Sequence, residues 1–127
     1  MMDKPTPAEI VNAARAFLEE KAMPELGGHT AYHARVAANA LAIAGREIET
    51  GAQATREELE RLRVLLGQDG SLEALNRTLC RRIRAGEMTP AAQGLADHLV
   101  RTTMAKVAID QPSYSGLKDA RKRWPAA

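Results

Sequence analysis

Aromatic residues are scarce in this chain: one Trp, two Tyr and one Phe, 3% of the total. Strands favour aromatic and β-branched side chains, so a sheet would be a poor use of this composition. A core built from Leu, Ile, Val, Met and Ala suits helix packed on helix. Cysteine is nearly absent as well: Cys80 stands alone, which excludes an intramolecular disulfide framework. No apolar run approaches the roughly 18 residues needed to cross a bilayer. Residues 1–6 are polar and include Asp3, unlike a secretory signal, so the cytoplasm is the expected location and no membrane partner is expected. Neither sign of charge dominates, with 18 basic against 16 acidic residues and a formal net charge of +2. A nucleic-acid-binding domain would gather basic charge on one face, so nucleic acid is not an expected partner. The glycines do not form a phosphate loop either: Gly27 and Gly28, like Gly67 and Gly70, lack its spacing and follow no strand.

What is present is helical. The 127 residues, 45% of them apolar, fit one domain with one modest core. Thr6-Pro7-Ala8-Glu9 combines a Thr cap, a Pro in the first turn and a Glu at the third position, and opens a first helix. Ile10, Ala14, Phe17, Leu18 and Lys21 follow at helical spacing, and Pro24 is expected to stop this helix near Ala22. A second helix is expected over 29–48. Its small residues Ala34, Ala37, Ala38, Ala44 and Gly45 would admit another helix closely, while Val36, Leu41, Ile43 and Ile48 supply bulk.

Thr55-Arg56-Glu57-Glu58 reads as a capping box for a third helix, with Leu59, Leu62, Leu65 and Leu66 on one side. Glu57, Glu58 and Glu60 would then favour the dipole of its first turns. Ser71 caps a fourth helix carrying Leu72, Leu75, Leu79 and Ile83, and Gly86 terminates it. Thr89-Pro90 repeats the cap-plus-Pro signal for a fifth helix, expected to end near Ile109 with Leu95, Leu99, Thr103 and Val107 in one stripe. Beyond Pro112 a short helix over 117–123 is expected. The expectation is an all-α, single-domain bundle of about five helices over 1–127, with 1–5 and 115–127 as flexible tails.

Candidate chemistry is sparse. His29 and His33 are four apart, a spacing that puts two metal ligands on one helix face, but no Glu lies between them to serve as general base, and no metal is expected. Cys80 follows Leu79 in the apolar register, where a free cysteine is a small buried hydrophobe rather than a nucleophile. The short turn between the third and fourth helices, with Arg77, Arg81, Arg82 and Arg84 on the latter, could form a helix-turn-helix unit, but Glu57, Glu58, Glu60, Asp69 and Glu73 flank it and would repel phosphates.

The most informative polar set is Tyr32, Arg35, Asn39 and Arg46, spaced three, four and seven apart along the second helix. If buried, these groups need partners, and Asp97, His98 and Arg101 on the fifth helix are candidates. Asp97 and Arg101 also form an i,i+4 pair by themselves. If exposed, Arg35, Asn39 and Arg46 would suit a carboxylate or phosphate. The set Lys118, Arg121, Lys122 and Arg123 beside Trp124 reads as a solvated basic tail.

The stretch Tyr32-His33-Ala34-Arg35-Val36-Ala37-Ala38-Asn39-Ala40-Leu41, continuing through Ile43 to Arg46-Glu47, resembles a bacterial family of small helical domains of unknown function. The opening Asp3-Lys4-Pro5-Thr6 with Glu9 and Phe17-Leu18, and Lys106-Val107-Ala108-Ile109 before Gln111-Pro112 and Tyr114, are similar to its two ends; Gln111 stands where that pattern has Asn. Members are associated with aminoglycoside-phosphotransferase-like proteins and acyl-CoA dehydrogenases. The resemblance therefore implies an accessory role in acyl-CoA or related catabolism. With no catalytic constellation and an Ala-rich second helix, the expectation is a non-enzymatic accessory or interaction module, without cofactor, that acts with a phosphotransferase-like or acyl-CoA-handling partner, with a homodimer as the expected assembly. A protein binding a small anionic ligand of phosphate or CoA type is the alternative. Tyr32, Arg35, Asn39, Arg46, Asp97 and Arg101 are the binding residues to examine, and no catalytic residue is expected.

Overall fold

The computed structural model describes residues 3–125, so Met1, Met2 and the last two residues of the expected tails lie outside the described residues. The protein is all-α, 78% helical, and no strand occurs among the described residues. The helices are α1 (Pro7–Phe17), α2 (Met23–Glu25), α3 (Gly28–Arg46), α4 (Ala52–Leu66), α5 (Leu72–Arg84), α6 (Leu95–Asp110) and α7 (Ser115–Arg123), with π turns at Leu18–Ala22 and Glu47–Gly51. The chain divides into two compact units, Met1–Ala52 and Gln53–Ala127.

In the first unit α1 packs along α3. Its start is the expected capping box: the Thr6 amide donates to Glu9 Oε2 at 2.7 Å and the Glu9 amide to Thr6 Oγ1 at 3.3 Å. Those bonds hold the Glu9 carboxyl below its ordinary range, chiefly through the Thr6 amide. Helical structure does not end near Ala22 as expected. It widens into the π turn, where the Met23 amide reaches back to Leu18 O, and then includes Pro24 in α2. A proline ring clashes with the carbonyl four residues earlier, and the wider turn just before Pro24 opens that space. The inner side of α1 is also not Ile10, Ala14 and Phe17, which are exposed; Val11, Arg15 and Leu18 are the half-buried positions. On α3 the small residues do what their size permits. Ala38 and Gly45 are buried, and a Cβ at Gly45 would meet Asn12 Oδ1 at 3.5 Å and Val11 Cγ1 at 3.7 Å. Of the bulky residues, Leu41 and Ile43 are half-buried and Val36 and Ile48 are exposed.

The expected start of the third helix at Thr55 is corrected by the structure. Helix α4 begins at Ala52, directly after the π turn in which Thr50 Oγ1 donates to Arg46 O at 2.8 Å. Thr55 lies inside the helix, and Glu58 is buried where it accepts from Asn76 Nδ2 at 2.9 Å. A tertiary partner has taken the carboxylate that the capping box would have used, and Glu58 is no longer in a first turn. The fourth helix matches its expectation. Ser71 Oγ accepts from the Ala74 amide, and at the other end the Gly86 amide donates to Ile83 O and the Glu87 amide to Arg82 O, a Schellman motif. Gly86 stands at φ +73°, where a Cβ is disfavoured.

Thr89-Pro90 opens a turn rather than a helix: the Ala92 amide donates to Thr89 O, Gly94 follows at φ +84°, and α6 begins only at Leu95. Leu62 and Leu66 of α4, Leu75 and Leu79 of α5, and Leu95 form the core of this unit, with Leu59, Leu65, Leu72, Met88 and Ala92 around them. Each fully buried Leu contributes about 1.5–3 kcal/mol. The expected stripe on α6 is corrected as well. Leu99 and Thr103 are exposed, and the buried line runs from Leu95 to His98. The C-terminal segment forms α7 against α6, with Leu117 buried, Trp124 half-buried and the basic set exposed.

Candidate functional site

The sequence motif of the second helix lies on α3 in the first unit. Tyr32, Arg35 and Asn39 are exposed, Tyr32 at 63% of its surface, so no desolvation forces a polar partner on them. Arg46 is half-buried. His29 and His33 are exposed, and His33 meets the Tyr32 ring edge-on at 5.5 Å and 71°. Among the described residues no group of three His, Cys, Asp or Glu side chains is placed to hold a metal ion. Asp97 and Arg101 belong to α6 in the second unit. They pair with each other, Arg101 Nε to Asp97 Oδ1 at 2.7 Å, and Arg101 Nη1 also donates to Pro125 O at 3.4 Å.

The second unit carries a polar cluster around His98, which the sequence offered as a partner for the α3 set, and Arg61, which it did not single out. His98 is 2% exposed, and its Nδ1 has no hydrogen-bond partner. Burial pushes its imidazole below the ordinary value; Arg61 and Lys106 add to this, while Glu58 and Asp97 oppose it. Arg61 of α4 donates through Nη2 to Thr102 Oγ1 at 3.4 Å, and its buried Nε has no partner. Arg61 and His98 line one open groove of about 610 Å³ together with Val64, Leu65, Gln93 and Asp97, and most of that lining is apolar. A signal for it existed. Leu95 and His98, both buried, and Thr102, half-buried, follow one another at helical spacing on α6, and a polar residue inside such a period marks a group that the fold has taken from water. Arg61 gave no comparable sign, because Arg is ordinary on the outside of a helix.

Cys80 is exposed rather than buried. It lines a second groove of about 750 Å³ on α5 with Leu72, Asn76, Arg77, Arg81 and Arg84. Arg77 pairs with Glu73 there, and Arg82 of the same helix reaches Leu66 O at 3.5 Å. Cys80 does not line the groove of His98, so those two side chains are not arranged as nucleophile and base. The unpartnered Arg61 Nε, the unpartnered His98 ring nitrogen and the apolar wall of their groove suit holding a ligand.

The fold and these surfaces define an all-α protein with an exposed polar motif in one unit and a groove walled by a buried histidine in the other. Within that class, the family model of a domain of unknown function, DUF6285, matches residues 24–114, and the chain belongs to that family. The match includes the whole of α3 and the groove residues of α4 and α6. No match was found among curated proteins or among solved structures.

Proposed function

We infer that the chain is a non-enzymatic accessory or interaction module, acting in the bacterial cytoplasm, that docks on a partner protein through the outer face of α3. The observation that supports this reading is the exposure of Tyr32 and of Val36, 49% exposed, beside the exposed polar pair Arg35 and Asn39. Tyr and Arg are the residues that most often dominate interface energy, and an apolar centre with a polar rim is the anatomy of such a surface. The resemblance of the α3 motif points to a phosphotransferase-like or acyl-CoA-handling protein as the partner. A homodimer would place two such faces on one assembly.

The test is affinity purification of the tagged chain from its host, with Tyr32→Ala and Arg35→Ala variants in parallel. The reading expects a phosphotransferase-like or acyl-CoA-handling protein to be retained by the wild type and lost from both variants. Retention of that protein by both variants, or no such protein in repeated trials, overturns it.

A further inference from the structure

We propose that the groove between α4 and α6 in the second unit binds a small amphipathic monocarboxylate, with its head on Arg61 and the first turn of α6 and its tail along Val64 and Leu65. Four observations converge on this site. Arg61 Nε is buried without an acceptor, so one donor of a permanently charged guanidinium lacks a partner. Helix α6, 16 residues long, begins at Leu95 after Gly94, which offers no side-chain cap, and its first-turn amides favour negative charge. His98, nine-tenths and more buried, lines the same groove with an unpartnered ring nitrogen. Val64 is 86% exposed although it is aliphatic, and it stands in the groove wall beside Leu65.

Charge decides between carboxylate and phosphate. Glu60 also lines the groove, and Asp97 is already matched by Arg101. The nearby charges therefore sum to about zero before the ligand enters. A monoanion gains from Arg61 and the helix terminus, whereas a phosphate would add a second negative charge beside Glu60. The apolar wall accounts for a hydrocarbon tail, which an inorganic anion lacks. Of the binding residues that the sequence suggested, Asp97 alone lines this groove, and the site does not involve the outer face of α3.

The experiment titrates the full ¹⁵N-labelled chain with sodium hexanoate, with hexanol and inorganic phosphate as comparison probes. The expected result is saturable shifts at the amides of Arg61, Gly94 and His98 with hexanoate, and weaker binding of both comparison probes. Arg61→Gln should abolish saturation. Val64→Asp, at a position exposed enough to leave folding untouched, should weaken hexanoate by about tenfold through like-charge repulsion. Arg35→Ala should bind hexanoate as the wild type does, which separates a failure here from a failure of the α3 docking surface. Absence of saturation, shifts confined to other residues, phosphate or hexanol binding as tightly as hexanoate, or a Val64→Asp variant with unchanged affinity would each overturn the proposal.

Discussion

Among the described residues His98 is the more buried of the two buried polar side chains, Glu58 being the other, and Arg61, Glu58, Asp97 and Lys106 are its charged neighbours. Its lowered folded value means that the unfolded chain binds more protons below the ordinary histidine value of about 6.5. The stability that His98 contributes is therefore fully present above that value and is lost as pH falls through it towards the lowered folded value. Denaturant unfolding should show stability falling as pH drops below about 6.5, and His98→Leu should flatten most of that slope. An unchanged slope in the variant would place the effect elsewhere. The neighbouring pair Glu58 and Asn76 gives a second prediction. Asn76→Ala leaves a buried carboxylate without its 2.9 Å donor and should cost about 1–3 kcal/mol. A loss within the noise of urea melts would mean that the bond is dispensable. Neither residue advertised its role. Asn76 is an ordinary polar residue of an amphipathic helix, and Glu58 sits where a capping box would use it.

At the scale of the element, two signals of the same type had opposite outcomes, and the difference is physical. The box at Thr6 and the simple cap at Ser71 are local: their partners lie three residues away, and the structure contains both. The box at Thr55 depended on Glu58, which a residue 18 positions further on has captured. Ser71→Ala should therefore destabilise by about 1 kcal/mol, whereas Thr55→Ala should stay within about 0.5 kcal/mol of the wild type. Urea midpoints of the two variants compare them directly, and equal losses would contradict this account of where α4 begins. Proline signals were ambiguous for a related reason. Pro24 is carried by a π turn and Pro90 by a non-helical turn ended by Gly94, and neither choice is written in the proline itself.

For the whole molecule, the leucine-rich second unit was legible because Leu62, Leu66, Leu75 and Leu79 recur at helical spacing on two amphipathic helices. Leu62→Ala, at a side chain with no exposed surface, should cost about 2–5 kcal/mol. The all-α class followed from composition and caps. The groove of Arg61 and His98 did not, because it is assembled from helices far apart in sequence, and periodicity within one helix cannot pair them. The α3 motif was located correctly on one helix, but its exposure could not be read from spacing alone. An exposed Arg and Asn and a buried pair that fixes helix register have the same sequence pattern. The central claim is that Arg35 and Asn39 are free for a partner rather than spent on the fold. The most direct test is the unfolding free energy of the double variant Arg35→Ala with Asn39→Ala, measured in urea. The account predicts a change within about 0.5 kcal/mol and an unaltered slope. A loss of about 2 kcal/mol or more would place both side chains in a structural network and contradict it.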